Sequence, residues 1–184
     1  MHHPTATTLE AGLDDIRRSP SDGGRVELIV RRPAQNEREV LAEAELDCTV
    51  GLVGDSWQAR SSRTTTDGSP DPDMQLTLMN ARAATLVAGG IDRAPLAGDQ
   101  LYVDLDLSEA NLPAGTRLEI GTAVIEVTDQ PHRGCKKFTE RFGRDSLRFV
   151  NSAVGDELRL RGANATVVVA GTVRTGDAIR KVSP

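Results

Sequence analysis

The chain has 184 residues, of which 22 are Lys or Arg and 27 are Asp or Glu, giving a formal charge of −5. That length suits one domain that buries its own core, and the acidic balance excludes a nucleic-acid or polybasic membrane footprint. Two cysteines and three histidines exclude a disulfide scaffold and a four-ligand Cys/His zinc site, because only His132 and Cys135 are neighbours.

The predicted elements begin late. Residues 1–24 are punctuated by Thr, Ser, Pro and Gly and read as a mobile tail, with room for a short helix at Leu9 to Arg18. Residues 25–184 read as a single domain. Arg25 to Arg32 is an apolar strand closed by Pro33, and Val40, Ala42, Ala44 and Leu46 alternate with polar neighbours as a half-buried strand. Cys48, between Leu46 and Val50, is assigned to that strand's buried side. A turn at Gly51 to Asp55 opens a long polar stretch to Asp73, a length that points to function or disorder. Met74 to Met79 alternates again, and Asn80 is placed to N-cap a helix over Ala81 to Ala88 that Gly89 and Gly90 stop.

Leu101, Val103, Leu105 and Leu107 mark the clearest strand, followed by strands at Thr116 to Ile120 and Ala123 to Thr128. The period then changes: Lys136 to Phe142 reads as helix with Phe138 and Phe142 on one face, Gly143 stops it, and Leu147 to Val150 resumes it. Strands at Glu157 to Arg161, Ala165 to Val173 and Ala178 to Val182 close the chain. Gly-Asp pairs at 54–55, 98–99, 155–156 and 176–177 read as turns leading into strands. Short strands, tight turns and two or three short helices predict a mainly β fold, a β-barrel. No apolar run reaches membrane-spanning length and no signal pattern opens the chain, so a cytoplasmic protein is expected.

The chemistry concentrates in Thr128 to Phe138. Cys135 stands where a strand gives way to a helix, and the helix N-terminus together with His132, Arg133, Lys136 and Lys137 favours a thiolate there. Gly134 removes bulk beside the thiol. A thiolate so placed serves as a nucleophile or as a soft-metal ligand; the competing reading is a small buried residue amid solvated lysines.

The order of segments resembles the MOSC domain, the module named for the C-terminal part of molybdenum cofactor sulfurases. The resemblance runs through Gly51-Leu52-Val53-Gly54-Asp55, Gln75 to Asn80, Leu96 to Leu101, Leu118 to Thr128, Pro131 with Cys135, and Gly171 to Asp177. It implies a β-barrel of the pyruvate-kinase barrel-insert type. It also implies a molybdenum cofactor (molybdopterin) whose metal Cys135 ligates, or sulfur that Cys135 carries. Some relatives reduce N-hydroxylated compounds. On this reading His132 is a proton donor or thiol-tuning neighbour, and Arg133 and Lys136 clamp the pterin phosphate, with Lys137 less favoured by helix geometry. Arg60, Arg63 and Arg82 are further candidate anion contacts or solvated arginines, and Asn80 is a cofactor contact or a helix cap.

Two departures stand out. The histidine- and glycine-rich stretch of many stand-alone relatives is replaced by Ser56 to Arg63, and an Arg-Asn pair by Asp99-Gln100. Pyridoxal phosphate is not expected, since no lysine stands out as a Schiff base. A reductase would need an electron-donor protein, and a sulfur carrier would need a sulfur donor. A non-catalytic accessory module and a cofactor-free thiol redox sensor remain as alternatives.

Overall fold

The computed structural model describes residues 3–62 and 64–182. The N-terminal stretch is built into the body of the protein instead of trailing as a tail. Helices α1 (Ala6–Ala11) and α2 (Leu13–Arg17) meet at Gly12 and bury Leu9 and Ile16 respectively. Strands β1 (Gly24–Arg31), β2 (Glu39–Leu41), β3 (Glu43–Asp47) and β4 (Gly51–Leu52) follow. The single strand expected across Val40 to Leu46 is therefore two, since β2 extends β1 while β3 pairs elsewhere. Val40 is left 60 % exposed as a result. Cys48 lies in the turn after β3, exposed, and not in a strand core.

Next come β5 (Leu76–Asn80), α3 (Ala81–Ala88), β6 (Leu101–Asp104), β7 (Arg117–Ile120) and β8 (Ala123–Val127). The chain ends with α4 (Lys136–Val150), α5 (Ala153–Glu157), β9 (Ala163–Val169), β10 (Gly171–Arg174) and β11 (Ala178–Lys181). Strands β11, β7, β8, β9, β5, β6 and β1 pair in that order, and β1 pairs back to β11, closing a seven-stranded barrel. Closure removes the unpaired edges an open sheet would leave. Among the described residues only β5 and β6 run parallel, and α3 makes the crossover between them. Strands β10, β3 and β4 form a small second sheet.

Two cores result. Val26, Leu76, Leu78, Leu101, Val103, Ile125 and Val167 fill the barrel. Leu9, Val30, Met79, Tyr102, Phe138 and Phe142 pack between the barrel wall and the helices. All five residues of β5 are buried, because its inner face meets the barrel core and its outer face meets helices. The two phenyl rings of α4 meet edge to face, 4.9 Å between centroids.

Gly143 takes φ 87° and breaks α4 into two helical pieces, as its position between the two helical patterns suggests. The strand expected over Glu157 to Arg161 is not formed. Ser152 caps α5 instead, and Arg159 turns left-handed at φ 45°, so Gly155-Asp156 sits in a helix and not in a turn.

Asn80 caps α3 and is buried. Its Oδ1 accepts from the Ala83 amide at 3.0 Å, while its Nδ2 donates to Ser19 Oγ and to the Leu105 carbonyl, each at 2.8 Å. One buried side chain thus ties α3 to the N-terminal segment and to the end of β6. Replacing Asn80 by Ala is expected to lower stability by about 2 kcal/mol, combining a lost cap with a stranded buried carbonyl. A urea midpoint equal to that of the wild type would contradict this role.

Candidate active cleft

After β8 the chain runs extended to Cys135, which holds the N-cap position of α4 with its thiol exposed and making no capping bond. Asn151 fixes this approach from the far end of α4. It accepts from the Gly134 amide at 2.9 Å and donates to the Gly134 carbonyl at 3.1 Å. A Cβ at position 134 would sit 2.8 Å from Leu147 Cδ1, so Gly134 serves helix packing, not access to the thiol.

Cys135 opens on a cleft of about 760 Å³. Two buried ion pairs frame it. At the end of β1, Arg32 grips Asp55 with Nε and Nη2, each at 2.8 Å, and donates from Nη1 to the Gly98 carbonyl at 2.7 Å. Beside it, Arg161 Nη1 reaches both oxygens of the fully buried Asp99, at 2.9 and 2.7 Å. The Arg161 guanidinium also lies over the Phe138 ring, 5.1 Å from its centroid. The Gly54-Asp55 and Gly98-Asp99 turns therefore do more than reverse the chain, since their carboxylates fix the cleft's arginines.

His132 lies 3.5 Å from Asp99 through Nδ1, without forming a hydrogen bond. Its side chain is 14 % exposed. Burial, and then the Arg161 charge, push its pKa down to about 3 against the opposing pull of Asp99. Burial therefore favours the neutral imidazole, with one N–H and one acceptor nitrogen, at neutral pH. Gly162, at φ 117°, gives the ring its place, because a Cβ there would lie 3.1 Å from Nδ1 and 2.2 Å from the Leu78 carbonyl oxygen.

Arg38, Arg60, Lys137 and Arg141 also line the cleft. Among the described residues none of these four has a carboxylate within ion-pair distance. Asp71 is the lining carboxylate, and it is engaged by the Thr64 hydroxyl and the Asp73 amide.

Of the residues named from sequence, Cys135, His132, Arg60 and Lys137 meet here. Arg133 turns away, bonding Asp156 at 2.8 Å beside a smaller cavity of about 210 Å³. Lys136 is exposed and does not line the cleft, whereas Lys137 does, reversing the expected preference. Arg82 holds Asp104 at 2.8 and 2.9 Å beside a separate groove at α3. Arg63 lies outside the described residues. Sequence reasoning missed Arg32, Arg38, Arg141, Arg161 and Asp99. One signal was available: Lys137 and Arg141 are four apart on a helix and so share a face.

The sequence profile of the MOSC domain matches residues 71–180. Among the curated proteins none matches in sequence. The fold is similar to the crystal structure of the YuaD protein from Bacillus subtilis, with TM-score 0.64 and 16 % identity over 88 % of this chain and 96 % of that one. It is also similar to YiiM from Escherichia coli, with TM-score 0.56 and 22 % identity over 87 % and 70 % of the two chains. YiiM from Geobacillus stearothermophilus gives TM-score 0.58 and 13 % identity over 87 % and 75 %. The barrel, the order of its elements and the profile match agree: the chain belongs to the MOSC domain family, which is linked to binding of the molybdenum cofactor.

Proposed function

We propose that the cleft binds a molybdenum–pterin cofactor, with Cys135 as a thiolate ligand to the metal. The observation that carries this reading is an exposed thiol opening on a cleft where four cations, Arg38, Arg60, Lys137 and Arg141, have no carboxylate within ion-pair distance among the described residues. The residues fit the group. A soft metal suits a thiolate, and a phosphate monoester, carrying roughly two negative charges, suits guanidinium and ammonium donors. Among the described residues no cluster of three His, Cys, Asp or Glu side chains could cage a metal unaided, so the metal would arrive with ligands of its own.

When bound, the cofactor supplies two-electron redox chemistry at its metal. The protein's part is to hold and orient. Cys135 fixes the metal end at the start of α4, and Lys137 and Arg60 neutralise phosphate. The Arg161–Phe138 stack gives the cleft a rigid wall. His132, neutral, offers an uncharged hydrogen bond. Reduction of N-hydroxylated compounds, with electrons from a donor protein, is the activity this arrangement would serve. A sulfur carrier would use the same thiol, and a persulfide on Cys135 in the intact mass would mark that role.

Alkylation tests the reading. In the unloaded protein Cys135 is expected to label with iodoacetamide at least tenfold faster than in protein loaded with the intact cofactor, while exposed Cys48 labels equally in both. Equal labelling of Cys135 in the two forms would contradict it.

A further inference from the structure

The cleft holds more positive charge than one phosphate neutralises, and that charge falls into two groups. Arg32 and Arg161 are cancelled by Asp55 and Asp99. Among the described residues Arg38, Arg60, Lys137 and Arg141 are not, and the one lining carboxylate is Asp71. The remainder is near +3, against roughly −2 for a phosphate monoester.

The geometry separates the cations. Arg38 and Arg141 converge over Gly98, where a Cβ would lie 3.2 Å from Arg38 Nη2 and 3.8 Å from Arg141 Nη1. Carbonyls and an amide hold them, with no acid involved. Arg38 Nε donates to Pro95 O at 3.1 Å and its Nη1 to Glu37 O at 2.5 Å. Arg141 Nη1 donates to Leu96 O at 2.7 Å and its Nη2 to Asn36 Oδ1 at 3.2 Å. Both guanidiniums are thus oriented with their charges unpaired, and a glycine leaves the space between them. Among neighbouring charges Arg38 feels Arg141 most, whereas Arg60 feels Arg32 most. Arg141 also stands six residues beyond Cys135 on α4, about 9 Å along the helix axis, while Lys137 is two residues away.

We infer that Arg38 and Arg141 form a second oxyanion site in the cleft, which takes the carboxylate or phosphoryl group of an anionic substrate beside the cofactor phosphate. This rests on the cofactor reading above for the identity of the other anion alone. Two guanidiniums held by neutral acceptors and facing one gap gain an opposing charge only when an oxyanion bridges them. The bound anion would hold the rest of the substrate within reach of Cys135, which makes the arginine pair a positioning device.

The test is a phosphorus NMR titration of the full chain with inorganic phosphate, without and with the cofactor. The unloaded protein is expected to bind two phosphates. The Arg38→Gln/Arg141→Gln double variant should bind one, while Arg60→Gln should weaken the other site at least tenfold and leave the Arg38–Arg141 site intact. Arg38 and Arg141 are half-buried and bond to loop acceptors, so thermal melting checks that the double variant stays folded. Cofactor-loaded wild type should still bind one phosphate, and lose it in the double variant. Loaded protein that binds none would mean that the arginine pair holds the cofactor's own phosphate, and would overturn the proposal, as would two phosphates on the double variant. Failure to load cofactor would sink the cofactor reading, yet the unloaded titration would still decide whether the Arg38–Arg141 site exists.

Discussion

Asp99→Asn is expected to lose about 3 kcal/mol of stability. Asp99 is fully buried and meets Arg161, whose side chain is 9 % exposed, through two oxygens. The amide keeps the volume but removes the charge, leaving the guanidinium desolvated and unpaired. Breaking one half of such a pair costs about 3–5 kcal/mol, whereas replacing both halves by apolar groups is often neutral. Adding Arg161→Met to Asp99→Asn should therefore restore most of the loss. A double variant with the summed losses of the two single variants, measured by urea unfolding, would show that the pair is not coupled. The same change is expected to loosen His132, which the Asp99 carboxylate approaches at 3.5 Å.

The protein is expected to lose stability steeply below pH 6.5, and much of that loss should trace to His132. Its folded pKa lies near 3, whereas an unfolded histidine titrates near 6.5. Between those values the unfolded chain binds a proton that the folded chain refuses, so stability rises with pH across this window and is flat above it. The limiting slope is about 1.4 kcal/mol per pH unit, which amounts to about 2 kcal/mol at pH 5. The ring's 14 % exposure makes this an upper figure. His132→Gln should flatten the profile between pH 4 and 6.5 relative to the wild type. Parallel profiles for the two proteins would show that His132 titrates normally in the fold.

The contrast between what could and could not be read from sequence follows from how each feature is encoded. Strands β7 and β8 have one face in the barrel, and their alternation is visible along the chain. Strand β5 is buried on both faces, so alternation misassigns its outer residues. A short helix at Leu9 to Arg18 was legible, but its packing was not, because the burial of Leu9 and Ile16 depends on α3 and α4, which lie far along the chain. Cys135 and His132 were legible as close neighbours in a charged segment.

The rest of the cleft is assembled from separate elements. Arg38 lies after β1, Arg60 after a 3₁₀ turn, Arg141 within α4 and Arg161 before β9, with no shared local signature. Side-chain direction was the other loss. Arg133 precedes the helix and points to Asp156, and one step of helical phase, about 100°, separates Lys137 from Lys136.

The central claim is that Cys135 anchors the metal of the cofactor, and molybdenum per chain after loading measures it most directly. Wild type and Cys135→Ser, incubated with the intact cofactor and freed of excess, should differ at least tenfold in molybdenum, with Cys48→Ser matching the wild type. Equal molybdenum in wild type and Cys135→Ser would contradict thiolate ligation, whatever the cleft's charge does for the phosphate.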